Sequence, residues 1–221
     1  MMKNIEEVMQ LVEMENFLEY NKSLETKDKT FDKLMFIYSL AVRELETKIN
    51  IFKDEFEVLY NYNLIDNIKT RIKGFESIVR KMEKRNVNMV YKEMIKNVND
   101  IAGIRIICHL KNDIFSIKNL IQKLPGVNVI KEKDYVTYPK ESGYSSYHMI
   151  VEVPVMLSQK VVYVKVEIQI RTITMDFWAS LEHNVKYKPE NKISKKDSKE
   201  WINCAKMLNK LDDKMIILNN K

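Results

Sequence analysis

Residues 160–172 read KVVYVKVEIQIRT. Val164, Val166, Ile168 and Ile170 alternate with Lys165, Glu167, Gln169 and Arg171. Side chains in a strand point to opposite faces in turn, so the apolar set and the polar set each share a face. A sheet face carrying Lys, Glu, Gln and Arg must meet water or a ligand. Working outward, YHMIVEVPV (147–155) and VNVI (127–130) also predict strands, and residues 112–124 predict a helix stopped by Pro125-Gly126. IAGIRIICHL (101–110) is rich in β-branched residues, with Gly103 at a point where something approaches the backbone. Downstream, residues 173–188 and 196–219 predict helices. Upstream, residues 64–85 predict a helix broken near Gly74, and an apolar stripe from Phe31 to Tyr60 predicts a long helix, with another over 4–20. Helices, then β-α-β-β-β, then helices, describe an α+β fold. Several strand connections are too short for a crossover, so the sheet is mixed and largely antiparallel.

Hydrophobic residues make up 45% of the 221 and charged residues 31%, which suits a globular chain with a real core. Net charge is +6, unevenly placed: residues 1–65 hold 8 basic and 13 acidic residues, leaving the rest strongly cationic. A cationic body points to an anionic partner: nucleotide, nucleic acid or anionic membrane. No apolar run reaches the ~20 residues that span a bilayer. The acidic start MMKNIEEVMQLVEMENF lacks the cationic flank and apolar stretch of a secretion signal. Cys108 and Cys204 make no disulfide scaffold, and with His109, His148 and His183 they form no zinc spacing. The expected compartment is the cytoplasm.

Three groups of residues suggest chemistry. Lys73, Ser77 and Lys81 are four apart, with Arg71 just before them; such a row can grip a polyphosphate, or be a solvated basic face or an RNA-binding strip. Asp100 precedes one strand and Glu167 lies within another, which suits Mg²⁺, an ion that takes few protein oxygens. Asp100 is equally a turn cap, and Glu167 equally a partner for Lys165 or Arg171. The segment TYPKESGYSSYH (137–148) carries Tyr138, Tyr144, Tyr147 and Lys140, which suits stacking on a base beside a phosphate, or a surface loop anchored by tyrosines. Cys108, Trp178, Trp201 and His183 read as packing residues, and His148 is open between packing and function.

Four ordered motifs resemble the synthetase domain of RelA/SpoT-type enzymes: RIKGFESIVRK (71–81), NDIAGIRI (99–106), DYVTYPKESGYSSYH (134–148) and VEIQIRT (166–172). The continuation MDFWASLEHNVKYK (175–188) is similar to small alarmone synthetases of the RelQ type. The resemblance implies a nucleotidyltransferase-like core over 63–190, with about five strands flanked by helices. It also implies helical oligomerisation segments at 1–62 and 191–221 and a homotetramer. The implied activity is that of a GTP pyrophosphokinase without a hydrolase domain. ATP would give pyrophosphate to the ribose 3′-hydroxyl of GDP or GTP, making ppGpp or pppGpp and AMP; GMP stays open as an acceptor. Arg71, Lys73, Ser77, Lys81 and Arg105 would hold ATP. Asp100 and Glu167 would be catalytic and would ligate Mg²⁺. Lys140, Ser142, Tyr144, His148, Gln169, Arg171 and Ala179 would hold the acceptor. Ser142 departs from the family, which usually has Asn there; a hydroxyl offers guanine less than a carboxamide. Allosteric alarmone binding and RNA binding stay open, and a non-catalytic RNA-binding module on the same basic surface is the alternative function.

Overall fold

A computed structural model describes residues 29–186 and 195–219. Five strands form one sheet in the order β1-β2-β5-β4-β3. They are β1 (Asn67–Ile72), β2 (Ala102–Cys108), β3 (Asn128–Asp134), β4 (Tyr147–Met156) and β5 (Val161–Thr172). Only the β2–β5 pair is parallel; the others are antiparallel. The helices are α1 (Lys29–Tyr60), α2 (Phe75–Lys84), α3 (Tyr91–Asn97), α4 (Lys111–Gln122), α5 (Ile173–Lys186) and α6 (Lys195–Asn219). This is the expected α+β architecture with a mixed, largely antiparallel sheet.

β5 shows the alternation that its sequence predicts. Val162, Val164, Val166, Ile168 and Ile170 are buried, and the residues from Tyr163 to Gln169 between them are half-buried on the other face. The apolar face is covered by α1, which packs on β1, β2, β4 and β5, and by α4, which packs on β2 and β5. Phe31, Leu34, Ile37, Tyr38, Ala41, Val42, Leu45 and Ile49 all enter this core. The stripe expected for subunit contacts is therefore turned largely onto its own sheet, fully buried as far as Ile49 and with Phe56 still packed against the core. Beyond it, Ile51, Val58, Leu59 and Tyr60 are exposed.

Residues 64–72 correct the sequence reading. The expected helix is instead the edge strand β1, and helix begins only at Phe75, after Gly74 in an extended N-cap conformation. Lys73 thus precedes the helix and does not share a helical face with Ser77 and Lys81. NIKTRI hides its strand character because the segment lies mostly exposed at the edge, with no alternating apolar half to bury. β3 runs on to Asp134, past the expected Ile130, and α3 lies in a stretch without a sequence assignment. The helix expected over 4–20 falls outside the described residues.

Candidate active site

The polar face of the sheet is built by register. Arg71 on β1 stands opposite Gly103 on β2, and Gly103 opposite Glu167 on β5. One row further, Lys69, Arg105, Gln169 and His148 line up across β1, β2, β5 and β4. Paired residues share a face, so four strands deliver their polar side chains to one surface. Gly103 leaves room for the Arg71 side chain to lie across β2: a Cβ there would meet Arg71 Nε at 3.2 Å. The close approach expected at this glycine is made by Arg71. Its guanidinium reaches to 3.6 Å from Glu167 Oε2.

Asp100, at the turn before β2, takes two ammonium groups on one oxygen. Lys81 Nζ is 2.5 Å from Oδ2, and Lys73 Nζ is 3.2 Å from it. Burial pushes this carboxyl up, but Lys81 and Lys73 together outweigh it and hold it below the usual carboxylate range. Its other oxygen, Oδ1, is buried without a partner. Ser77 stands apart from this cluster, its Oγ facing Arg80 at 3.5 Å.

Glu167 accepts a hydrogen bond from Gln169 Nε2 at 2.9 Å, and His148 Nδ1 lies 3.7 Å from its Oε1. Burial raises its pKa, as does Asp100, but His148 and Gln169 bring the net shift down. The carboxylate is therefore ionised at neutral pH. Lys165, its alternative partner by sequence, turns instead to the Lys96 carbonyl and Asn99, both at 3.3 Å. The chain of contacts continues past His148. Tyr144 Oη is 2.8 Å from His148 Nε2 and accepts from Arg171 at 2.8 Å. The Tyr144 hydroxyl, which both donates and accepts, can meet either tautomer of the imidazole.

Arg171, only 4% exposed, also donates to Gln169 Oε1 at 2.9 Å and to Asp176 Oδ1 at 3.1 Å. Asp176, on the first turn of α5, collects Arg105 at 3.0 Å and Lys69 at 3.1 Å as well. Burial raises the Asp176 pKa, and the three cations more than offset it. Sequence reasoning passed over this residue. Its one signal is an acid four positions past the end of β5, and its partner Lys69 lies 107 positions away.

A cleft of about 820 Å³ opens over this face, within the usual range of ligand sites. Arg71, Arg105, Lys140, Ser142, Tyr144, Gln169, Arg171 and Ala179 all line it. Lys140 Nζ sits 4.7 Å from the Tyr135 ring centre and 5.0 Å from that of Tyr144. Neither His148 nor Glu167 lines this cleft; Glu167 opens, with Arg71, Gly103, Arg105 and Gln169, onto a smaller cavity of about 130 Å³ that shares Arg71, Arg105 and Gln169 with it. Tyr147 is buried in the core, as are Cys108 and Trp178, and Trp178 meets Trp201 edge to face. The side chain of His183 falls outside the described residues.

Asp100 and Glu167 fit a magnesium ion: both offer hard oxygens, and Asp100 Oδ1 lacks a partner. Beside them stands a surplus of Arg and Lys, an arrangement that can draw two phosphate chains together and hold a hydroxyl next to a carboxylate.

Comparison with known proteins agrees with this chemistry. Residues 70–192 match the region found in RelA/SpoT proteins. The chain is 42% identical to GTP pyrophosphokinase YwaC of Bacillus subtilis over 182 residues, covering 82% of this chain and 87% of that protein. It is 32% identical to GTP pyrophosphokinase YjbM of the same organism over 188 residues, covering 85% and 88%. Among solved structures, small alarmone synthetase 2 from B. subtilis superposes with a TM-score of 0.77 at 39% identity, covering 86% of this chain and 97% of that one. Small alarmone synthetase 1 from the same organism, bound to its product pppGpp, superposes with a TM-score of 0.79 at 31% identity, covering 87% and 98%. With its fold, its ordered motifs and these relatives in agreement, the chain belongs to the RelA/SpoT family and groups there with the small alarmone synthetases.

Proposed function

We propose that this protein transfers the β,γ-pyrophosphoryl unit of ATP to the ribose 3′-hydroxyl of GDP or GTP, releasing AMP and making ppGpp or pppGpp. The observation that carries this reading is the pairing of Glu167 with Arg71 and of Asp100 with Lys73 and Lys81, next to a cleft lined by Arg71, Arg105 and Arg171. Arg71, Lys73, Ser77, Lys81 and Arg105 take ATP on the β1–α2 side. Lys140, Ser142, Tyr144, Gln169, Arg171 and Ala179 take the acceptor, with Tyr144 against the guanine. The 3′-oxygen attacks the β-phosphorus in line, the bond from that phosphorus to the α-bridging oxygen breaks, and AMP leaves with that oxygen. Glu167, ionised and fixed by Gln169, accepts the hydroxyl proton. His148 orients Glu167 and is not assigned to an acceptor phosphate.

Asp100, through Oδ1, and Glu167 would hold Mg²⁺, which when bound offsets charge on the transferred phosphates. Lys73 and Lys81, now bonded to Asp100, become free to turn to those phosphates. We further infer a cytoplasmic protein serving stringent-response signalling, assembled as a homotetramer through its exposed terminal helix faces. Among the described residues no helix is long and apolar enough to cross a membrane. The alternative of a non-catalytic RNA-binding module has no observation of its own, because the key cations are paired with acids in a cleft.

The test is chromatography of products from ATP with GMP, GDP or GTP, with and without Mg²⁺. The reading expects AMP together with a 3′-pyrophosphorylated guanosine nucleotide, only with the metal. Absence of such a product with every acceptor would contradict it. Repeating the series with Ser142→Asn reads the contribution of that position to acceptor choice.

A further inference from the structure

Five polar contacts close into a ring beside the cleft. Arg171 Nη2 donates to Tyr144 Oη at 2.8 Å and to Gln169 Oε1 at 2.9 Å. From there two arms run to Glu167. One is Gln169, whose Nε2 donates to Glu167 Oε2 at 2.9 Å. The other passes from Tyr144 Oη to His148 Nε2 at 2.8 Å, and from His148 Nδ1 to Glu167 Oε1 at 3.7 Å. Each oxygen of the carboxylate thus faces its own arm. The first arm stays within β5, where Glu167, Gln169 and Arg171 are alternate residues, so strand geometry sets it. The second arm begins outside the sheet, because Tyr144 lies in the loop before β4. Tyr135 meets the rings of Tyr144 and His148 edge to face, with centroids 6.1 and 5.4 Å apart, and so packs the two together. Tyr144 lines the cleft, whereas His148 and Glu167 do not. The arm therefore leads from the cleft wall to the carboxylate.

We propose that the Tyr144 hydroxyl is a positioning group for Glu167: through His148 it sets the Oε1 side of the carboxylate, and an acceptor nucleotide stacked on the Tyr144 ring tightens that setting. The loosest of the five contacts is the last one, at Glu167. Contacts to a catalytic carboxylate are often long until substrate settles. Here the long one stands at the end of the arm whose other end faces the cleft. A base laid on the ring fixes the phenol, the phenol fixes His148, and His148 closes on Oε1. The carboxylate is thus fully set when the acceptor is in place. This coupling rests on the proposed acceptor role of the loop; the arm from Tyr144 to Glu167 does not.

The chain has three histidines, so NMR of the imidazole nitrogens in the whole protein, with His148 assigned by His148→Gln, reads the arm directly. Tyr144→Phe keeps the ring and removes the hydroxyl. Both Tyr144→Phe and Glu167→Gln are expected to shift the His148 signals; indifference to either change breaks the arm at that link and overturns it. GDP should move the His148 signals in the wild type and far less in Tyr144→Phe. No movement, or equal movement in both, overturns the coupling. In kinetics, loss of one hydrogen bond should lower the kcat of Tyr144→Phe about tenfold, with KM for GDP changed no more than a few-fold, the mark of an interaction used in the transition state. A raised KM with unchanged kcat would make Tyr144 a binding residue alone and overturn its positioning role. Links in series fail together, so Tyr144→Phe combined with His148→Gln should cost no more than the larger single loss. Additive losses would show two independent roles and overturn the arm. If the wild type makes no alarmone, the nucleotide-free spectra still decide whether the arm exists.

Discussion

Asp176 holds Lys69, Arg105 and Arg171 at once, and through Arg105 and Arg171 it ties the donor side of the cleft to the acceptor side. Replacing it by Asn keeps the shape and removes the charge, leaving buried Arg171 partly uncompensated. Breaking such a pair costs on the order of 3 kcal/mol. Asp176→Asn is thus expected to lower Tm, measured by calorimetry, and to raise KM for both nucleotides. An unchanged Tm would show that the cations do not depend on it. Glu167 offers the complementary case, since it sits where the nucleophile's proton must go. Glu167→Gln should reduce kcat by about 10²–10⁴-fold, while binding of a non-hydrolysable ATP analogue, followed by calorimetric titration, stays within a few-fold. These two residues also differ in legibility. Glu167 stands out in sequence as an acid in a period-two strand. Asp176 does not, because its meaning lies in partners that only the folded register brings near.

At the scale of elements, the alternation of β5 and the β-branched run of β2 predicted the strands that carry the site, and Gly103 marked the place where Arg71 crosses. β1 was hidden by its exposure at the sheet edge, and with it the strand origin of Lys69 and Arg71. The stripe of α1 was legible, but a stripe alone does not say whether sheet or subunit covers it. The link between the acceptor loop and α6 was also invisible, since it depends on one contact. Gly143 has φ +87° and abuts Ala205. Gly143→Ala should therefore destabilise the protein by about 1–3 kcal/mol in urea unfolding and raise acceptor KM, and adding Ala205→Gly should restore part of both. Failure of the second change to rescue would remove the contact as the cause. The helix itself is pinned by Asp212, whose Oδ2 accepts from Thr172 at 2.7 Å and from Thr174 at 2.6 Å. Burial, acting against those two hydrogen bonds, raises the Asp212 pKa. A raised pKa means that ionising this carboxyl weakens the fold, and that this penalty fades as pH falls through the folded pKa. An Asn carbonyl can accept both hydroxyls. Asp212→Asn is expected to raise Tm at pH 7, with the difference shrinking toward pH ~4. A lower Tm at pH 7 would contradict this.

For the whole molecule, α1 closes the apolar side of the sheet and leaves the opposite, cationic side open. Apolar residues are left uncovered at the far end of α1 and on α6, where Met207, Leu211, Met215, Ile217 and Leu218 are exposed, among other places. Light scattering coupled to size exclusion is expected to give a mass near four chains, falling when Leu211 and Met215 are both changed to Glu. A monomeric wild type would contradict assembly through these faces. The proposed reaction moves a pyrophosphoryl unit rather than a single phosphoryl group. ATP labelled at the β-phosphorus, incubated with GDP and Mg²⁺, tests this directly. The expected result is label on the 3′-position of guanosine in amount equal to the AMP released; label retained in ADP, or no label on guanosine, would contradict it.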